Sequence, residues 1–349
     1  MSKKGMNRRE VMGAGAALAA LSALPFDAHS AEKLVAATFG GTWSEVHRKF
    51  LAPAFKKRTG AALTQAVMLA TQQIAKLTAA KGGTPPFDVA ILDEGPALNA
   101  IKLGLIEEYN PAKSPNFGKL LKPFQDKWGP SVTMQCIGIA YNPNKIKTPP
   151  TSWEDLWDPK YKGRVGITSL ASTLGMAFLA DINRLAGGNE SSMDPAFKKL
   201  KTLLPNLAAV SANFGAHAGL FAQGEVDIGV QNFNFTQTLK SKGVPVEFVR
   251  VSSGTPAWRT SMHVVRNTGV SDLAHTYIDT HLTADLQTAL QQEPYNVIPT
   301  NGGVPLCCLV KSQIAEKPSD LQKMVFFDWT KINAGRPDWT NAFNRQIRV

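Results

Sequence analysis

Along this chain, short apolar runs of strand length alternate with longer amphipathic stretches, and turn residues separate the two. That alternation is the signature of parallel α/β architecture. Leu34–Phe39 reads as a first strand that ends in Gly40-Gly41-Thr42-Trp43. From Ser44 onward, Val46, Phe50, Leu51, Ala54 and Phe55 fall near helical spacing. Phe87–Leu92 is a further strand, closed by Asp93-Glu94-Gly95-Pro96 and followed by a helix over Ala97–Leu103. Val132–Tyr141 is a long apolar strand, and Arg164–Ile167 is a short one that leads through Thr168–Thr173 into a helix over Leu174–Leu185. Val226–Val230, Val246–Val251 and Met262–Val265 complete the strand-like runs.

The N-terminus reads differently. Lys3, Lys4, Arg8 and Arg9 precede an apolar stretch from Val11 to Phe26, and Ala28-His29-Ser30 offers small residues at the positions a signal peptidase reads. Such a layout is a secretory signal, too short and too rich in Ala and Gly for a stable span. Asn7-Arg8-Arg9-Glu10-Val11-Met12 matches the twin-arginine pattern, so residues 1–30 are expected to engage the twin-arginine translocase. Cleavage near Ser30/Ala31 would release the protein into the periplasm. Gly13-Ala14-Gly15 mimics half of a dinucleotide turn but lacks the preceding strand and the later acid, and it is set aside.

The roughly 320 remaining residues exceed what one hydrophobic core supports, so two lobes are expected. The formal charge of +11 is spread over scattered Lys and Arg without a basic run, which argues against nucleic acid and allows a modest bias toward anions. Cys136, Cys307 and Cys308 are the three cysteines. Adjacent cysteines seldom pair with each other, which leaves open a bridge from Cys136 to Cys307 or Cys308, or three thiols. No metal-ligand spacing is present and no cofactor is expected.

In open α/β sheets, ligands settle where strands end and helices begin. Five such turns stand out: Gly40–Trp43, Asp93–Gly95, Thr168–Thr173, Gln231–Phe235 and Gly254–Thr260. They come from both halves of the chain, as a cleft between lobes requires.

Phe39-Gly40-Gly41-Thr42-Trp43, the run Thr151–Tyr161, Gly224–Gly229, Gly254–Trp258 and the tryptophan-spaced ending Trp329–Ile347 together resemble the solute-binding proteins of ABC importers. The similarity is to the group that holds polyamine, thiamine and 4-aminobutyrate receptors. The resemblance implies a type II periplasmic-binding-protein fold, a monomer of two lobes joined by crossovers near Met134–Tyr141 and Ser261–Val265. Lobe 1 would hold residues 34–137 and 263–312, and lobe 2 residues 138–262 and 313–349. A small-molecule ligand and a membrane permease are the implied partners.

The departures from that pattern bear on the ligand. Polyamine receptors carry acidic residues where this chain has Thr168-Ser169-Leu170-Ala171-Ser172-Thr173, and a Trp-x-Asp where it has Trp258-Arg259-Thr260. Hydroxyls at a helix head suit an anion, and Arg259 suits a carboxylate or phosphate. The expected ligand-binding residues are Thr42, Trp43, Asp93, Glu94, Ser169, Ser172, Thr173, Asn232, Asn234, Trp258 and Arg259. Each also has a packing reading: the hydroxyls as helix caps, Trp258 as core, Arg259 as the partner of a structural carboxylate. A spermidine or putrescine receptor is the alternative. A secreted hydrolase is the rival of another class, although the chain has no His-Glu-x-x-His, Gly-x-Ser-x-Gly or phosphate-loop motif.

Overall fold

The computed structural model describes residues 33–348, so the signal reading of residues 1–30 lies outside it. The described residues form ten strands: β1 Lys33–Thr38, β2 Ala62–Val67, β3 Val89–Asp93, β4 Ser131–Tyr141, β5 Val165–Thr168, β6 Leu207–Ser211, β7 Ile228–Asn232, β8 Glu247–Val249, β9 Pro256–Val264 and β10 Val325–Phe326. Around them lie α1 Thr42–Val46, α2 Ala52–Thr59, α3 Ala70–Ala79, α4 Glu94–Lys102, α5 Thr173–Leu185, α6 Asp194–Lys201, α7 Phe214–Gln223, α8 Phe233–Ser241, α9 Ser271–His281, α10 Ala284–Leu290, α11 Cys308–Gln313 and α12 Trp329–Gln346.

The strand order is β2-β1-β3-β9-β4-β7-β5-β6, with β10 beside β9 and β8 beside β4. Strand β4 organises the whole. Its first half pairs with β9, from Ser131 opposite Ser261 to Cys136 opposite Ala257. Its second half pairs with β7, from Ile137 opposite Asn232 to Tyr141 opposite Ile228. The partner changes at one peptide bond, and the core changes with it. Val132, Met134 and Cys136 belong to the core built on β1, β3 and α9, whereas Ile137, Ile139 and Tyr141 belong to the core around α5. All eleven residues of β4 are buried. A fully apolar run is what a strand covered on both faces needs, and each large side chain taken out of water contributes about 1.5–3 kcal/mol. This is a two-lobed α/β architecture of the periplasmic-binding-protein kind, with β4 running through both lobes.

The passage near Met134–Tyr141 thus falls where the sequence places it, and the second passage does not. Ser261–Val264 lie inside the first sheet, opposite β3 from Leu92 to Val89. The chain returns from the second sheet to the first between Val249 and Pro256. The turn expected over Gly254–Thr260 is therefore mostly strand. Its polar triplet Trp258-Arg259-Thr260 interrupts the apolar pattern because these side chains face neighbours that are themselves polar or aromatic.

Candidate ligand-binding cleft

On the first-sheet side, Gly41 precedes α1 with φ 66° and ψ −134°, a conformation that side chains with a Cβ avoid. Thr42 opens α1, and Trp43 stands half-buried behind it. The Trp43 indole meets Phe39 edge-on at 6.3 Å and His47 at 5.5 Å, so one face of the ring is spent on the lobe. Strand β3 delivers Asp93 and Glu94 to the head of α4. Asp93 accepts from Thr260 Oγ1 at 2.7 Å. Burial raises its pKa to about 6 against the pull of Thr260, Trp258 and Arg336.

Glu94 and Arg259 answer each other. Glu94 Oε2 accepts from the Arg259 backbone N–H at 2.9 Å, and Glu94 Oε1 accepts from Nε at 2.8 Å and from Nη2. Arg259 Nη1 donates to the Pro123 carbonyl at 3.0 Å, and the guanidinium lies over Phe326, 4.9 Å from the ring centroid. The Arg259 donors are thus directed at protein acceptors, so a role as an anion clamp would require the Glu94 pair to open.

On the second-sheet side, Ser172 caps α5, its Oγ accepting from Leu174 N–H at 3.2 Å. Thr173 is buried in the first turn, and Ser169 Oγ donates to the Ala212 carbonyl at 3.4 Å. A Cβ at Gly175 would come within 2.4 Å of the Ser169 carbonyl oxygen and 2.5 Å of that of Thr168. Glycine there lets the helix head seat directly on the strand-end turn. Asn232 is a cap as well: its Oδ1 accepts from Phe235 N–H at 3.0 Å and its Nδ2 donates to Gln135 at 3.2 Å. Asn234 reaches across to the first lobe, donating to the carbonyls of Asn296 at 2.6 Å and Tyr295 at 3.3 Å.

Trp258 lies between the two sides. It is 1% exposed and stacks on Phe214 at 6.3 Å and 18°, and Phe214 stacks on Phe235 at 5.5 Å and 23°. Its indole N–H is directed toward the Asp93 carboxylate without completing a hydrogen bond of good geometry. Gln231 Nε2, Thr168 Oγ1, Asn234 Oδ1 and Asn296 Oδ1 are further buried polar atoms without a protein partner. Buried polar groups normally have partners; of these, Thr168 ends β5 and Gln231 stands one residue before the end of β7.

One residue there escapes the sequence reading. Arg336 of α12 donates through Nε and Nη2 to the Leu170 carbonyl at 3.2 and 3.0 Å, and through Nη2 to that of Ala171 at 2.9 Å. Its Nη1 lies 3.3 Å from where a Cβ on Gly95 would stand, and neighbouring Asn333 donates to the Gly95 carbonyl at 2.8 Å. Arg336 therefore joins the turn before α5 to the head of α4. Gly335 and Pro337 beside it form no motif that would have singled it out.

Known proteins agree with this architecture. The family model for bacterial extracellular solute-binding proteins matches residues 84–334. The spermidine/putrescine-binding periplasmic protein of Escherichia coli (strain K12) is 26% identical over 278 residues, 74% of each chain. An ABC transporter structure from Clostridium perfringens superposes with a TM-score of 0.75 at 23% identity, covering 90% of this chain and 100% of that one. The periplasmic binding protein AfuA from Actinobacillus pleuropneumoniae, with fructose-6-phosphate bound, superposes with a TM-score of 0.73 at 24% identity, covering 90% and 98%. The match spans well over half of the sequence, and the chain belongs to the bacterial extracellular solute-binding proteins, the substrate-binding components of ABC importers.

Proposed function

We propose that this protein captures a small organic solute bearing an anionic group, such as a carboxylate, a phosphate or phosphonate, an amino acid or thiamine phosphate, and delivers it to its permease without chemical turnover. The observation that carries this reading is the charge pattern of the cleft. The Thr168–Thr173 turn presents hydroxyls and the Arg336 guanidinium where a polyamine receptor needs carboxylates. On the facing side Glu94 is neutralised by Arg259, and burial opposes ionisation of Asp93. A polyamine carries several positive charges, and binding it requires ionised carboxylates free to meet them. Trp43, Trp258 and the hydroxyls of Thr42, Ser169, Ser172 and Thr173 would line the body of the solute, with Asn232 and Asn234 behind them. The lobes 34–137 with 263–312 and 138–262 with 313–349 would close on it, the first lobe reaching back to Pro256 along β9. Residues 1–30 would take the chain through the twin-arginine route to the periplasm, where it acts as a monomer.

The polyamine reading draws support from several relatives named for spermidine and putrescine, among them one 26% and one 27% identical. Native mass spectrometry of protein purified without denaturation, followed by calorimetry, separates the two. The expected result is a retained or titratable anionic solute and no heat with spermidine. At 100 times its dissociation constant, such a solute adds roughly 2.7 kcal/mol of stability. Tight spermidine binding with no response to carboxylates or phosphates would overturn the proposal.

A further inference from the structure

The head of α11 carries a feature the ligand cleft does not use. Cys307 and Cys308 are adjacent, and neighbouring side chains on ordinary extended backbone point to opposite sides. Here Cys308 takes φ 56°, the left-handed region, which a residue with a Cβ adopts only when its surroundings hold it there. The result is that both thiols point the same way, with Cys308 Sγ lying 3.0 Å from Cys307 Sγ. The Gln292 side-chain amide spans the pair, its Nε2 donating to Cys307 Sγ at 3.6 Å and its Oε1 accepting from Cys308 Sγ at 3.2 Å. Gln291 Oε1 accepts from the Cys307 backbone N–H at 3.1 Å, which fixes the segment from below. Cys308 is exposed and Cys307 half-buried. Cys136 differs from both: it is fully buried in β4, and burial pushes its thiol up to about 12.

We propose that Cys307-Cys308 is a reversible redox-modification site, a vicinal dithiol that low-molecular-weight disulfides convert into a vicinal disulfide. The exposed Cys308 attacks first as its thiolate. Its sulfur bonds to one sulfur of the small disulfide, and the second sulfur leaves as a thiolate. The Cys307 thiolate then attacks Cys308 Sγ, closing the ring and expelling the other small thiolate. The two cysteine protons end on two small thiols; the protein loses two electrons and the small disulfide gains them. The sulfurs must approach by only about 1 Å to reach bonding distance. Burial and the neighbouring Cys308 raise the Cys307 thiol to about 11, which agrees with its acting second.

The test treats folded, full mature chain with glutathione disulfide and follows intact mass and peptide maps. The expected product has lost two hydrogens, carries no glutathione, links Cys307 to Cys308, and returns to the dithiol with dithiothreitol. Cys136→Ser should behave the same. Cys307→Ser should stop at a glutathione adduct on Cys308. The proposal is overturned if the unsubstituted chain keeps a stable adduct, dimerises through sulfur, links through Cys136, or stays fully reduced.

Discussion

The two sides of the candidate cleft each carry one arginine, and they use it in opposite ways. On the first-sheet side Arg259 is tied to Glu94 through the backbone N–H, Nε and Nη2. On the second-sheet side Arg336 meets only the uncharged carbonyls of Leu170 and Ala171. Among the described residues it forms no ion pair, and Asp93 is the charge it feels. The first arginine is neutralised in place and holds a strand to a helix. The second keeps its charge and stands where two lobes meet. An arginine's value to a ligand depends on whether a carboxylate already answers it, and the residue type alone does not say which case applies.

The largest effect should come from removing that answer. Glu94→Ala leaves the Arg259 guanidinium, 28% exposed as a side chain, without its partner, and unpairing a buried charge costs about 3 kcal/mol. Urea denaturation should show the free energy of unfolding lowered by about that amount, with the midpoint shifted down accordingly. Replacing both residues by hydrocarbon side chains of similar volume should recover most of the loss. A stable Glu94→Ala protein would break the comparison, because Arg259 would then be as unencumbered as Arg336.

The next largest effect is electrostatic and belongs to Asp93. Its folded pKa of about 6 stands above the ordinary 3.8, so the folded chain holds this proton more tightly than the unfolded chain does. Stability contributed by this group is full below the unfolded value and is lost as pH rises through about 6. Asp93→Asn should therefore be more stable than the unsubstituted chain above pH 6, by roughly 2–3 kcal/mol, and the two should converge near pH 4. Parallel stability–pH curves for the two proteins would show that solvent or Arg336 already satisfies the carboxylate.

Much of the scaffold was legible because the apolar runs of β1, β3, β4 and β5 are bounded by turn residues and followed by helical spacing. Four strands were not read in full: β2, the short β6 and the two-residue β10 went unread, and β9 was shortened. Ala62–Val67 alternates between half-buried and exposed positions, so its apolar signal is diluted, and β9 was cut short by its own polar triplet. The cleft was legible residue by residue but not in its pairings. Glu94 and Arg259 were both named, yet they are 165 positions apart, and nothing local shows that they satisfy each other. Arg336 carried no signal, because its importance comes from α12 folding back onto the turn before α5. Cys307 and Cys308 were set aside because adjacent cysteines seldom pair, and nothing in the sequence shows that Cys308 takes a positive φ.

Arg336→Met sharpens the comparison from the other side. The methionine keeps the length of the stem while removing the charge and the donors to Leu170 and Ala171. A solute bound through an anionic group should lose about tenfold in affinity, the 1.4 kcal/mol expected for one charge-assisted contact, measured by calorimetry with the solute retained on purification. Arg259→Met should weaken the same solute far less, since its donors already face Glu94 and Pro123. Equal losses in the two variants would mean that ligand binding breaks the Glu94 pair and recruits Arg259.

The smallest effect decides what the hydroxyls are for. Ser172 Oγ accepts from Leu174 N–H, so Ser172→Ala removes a helix cap and should cost about 1 kcal/mol of stability. Ser169 makes only a long contact with the Ala212 carbonyl, so Ser169→Ala should leave stability within about 0.5 kcal/mol of the unsubstituted chain. If the turn before α5 holds the solute, Ser169→Ala is the variant whose affinity falls while its denaturation midpoint stays put. Ser172→Ala should instead shift the midpoint and, through a frayed helix head, weaken binding only as far as the cap is lost. The opposite assignment, with Ser169 moving stability and Ser172 moving affinity alone, would reverse the roles of the two hydroxyls. Arg336 would then stand beside Thr168 Oγ1 and Gln231 Nε2, both without a protein partner, among the groups on that side with donors to offer a ligand.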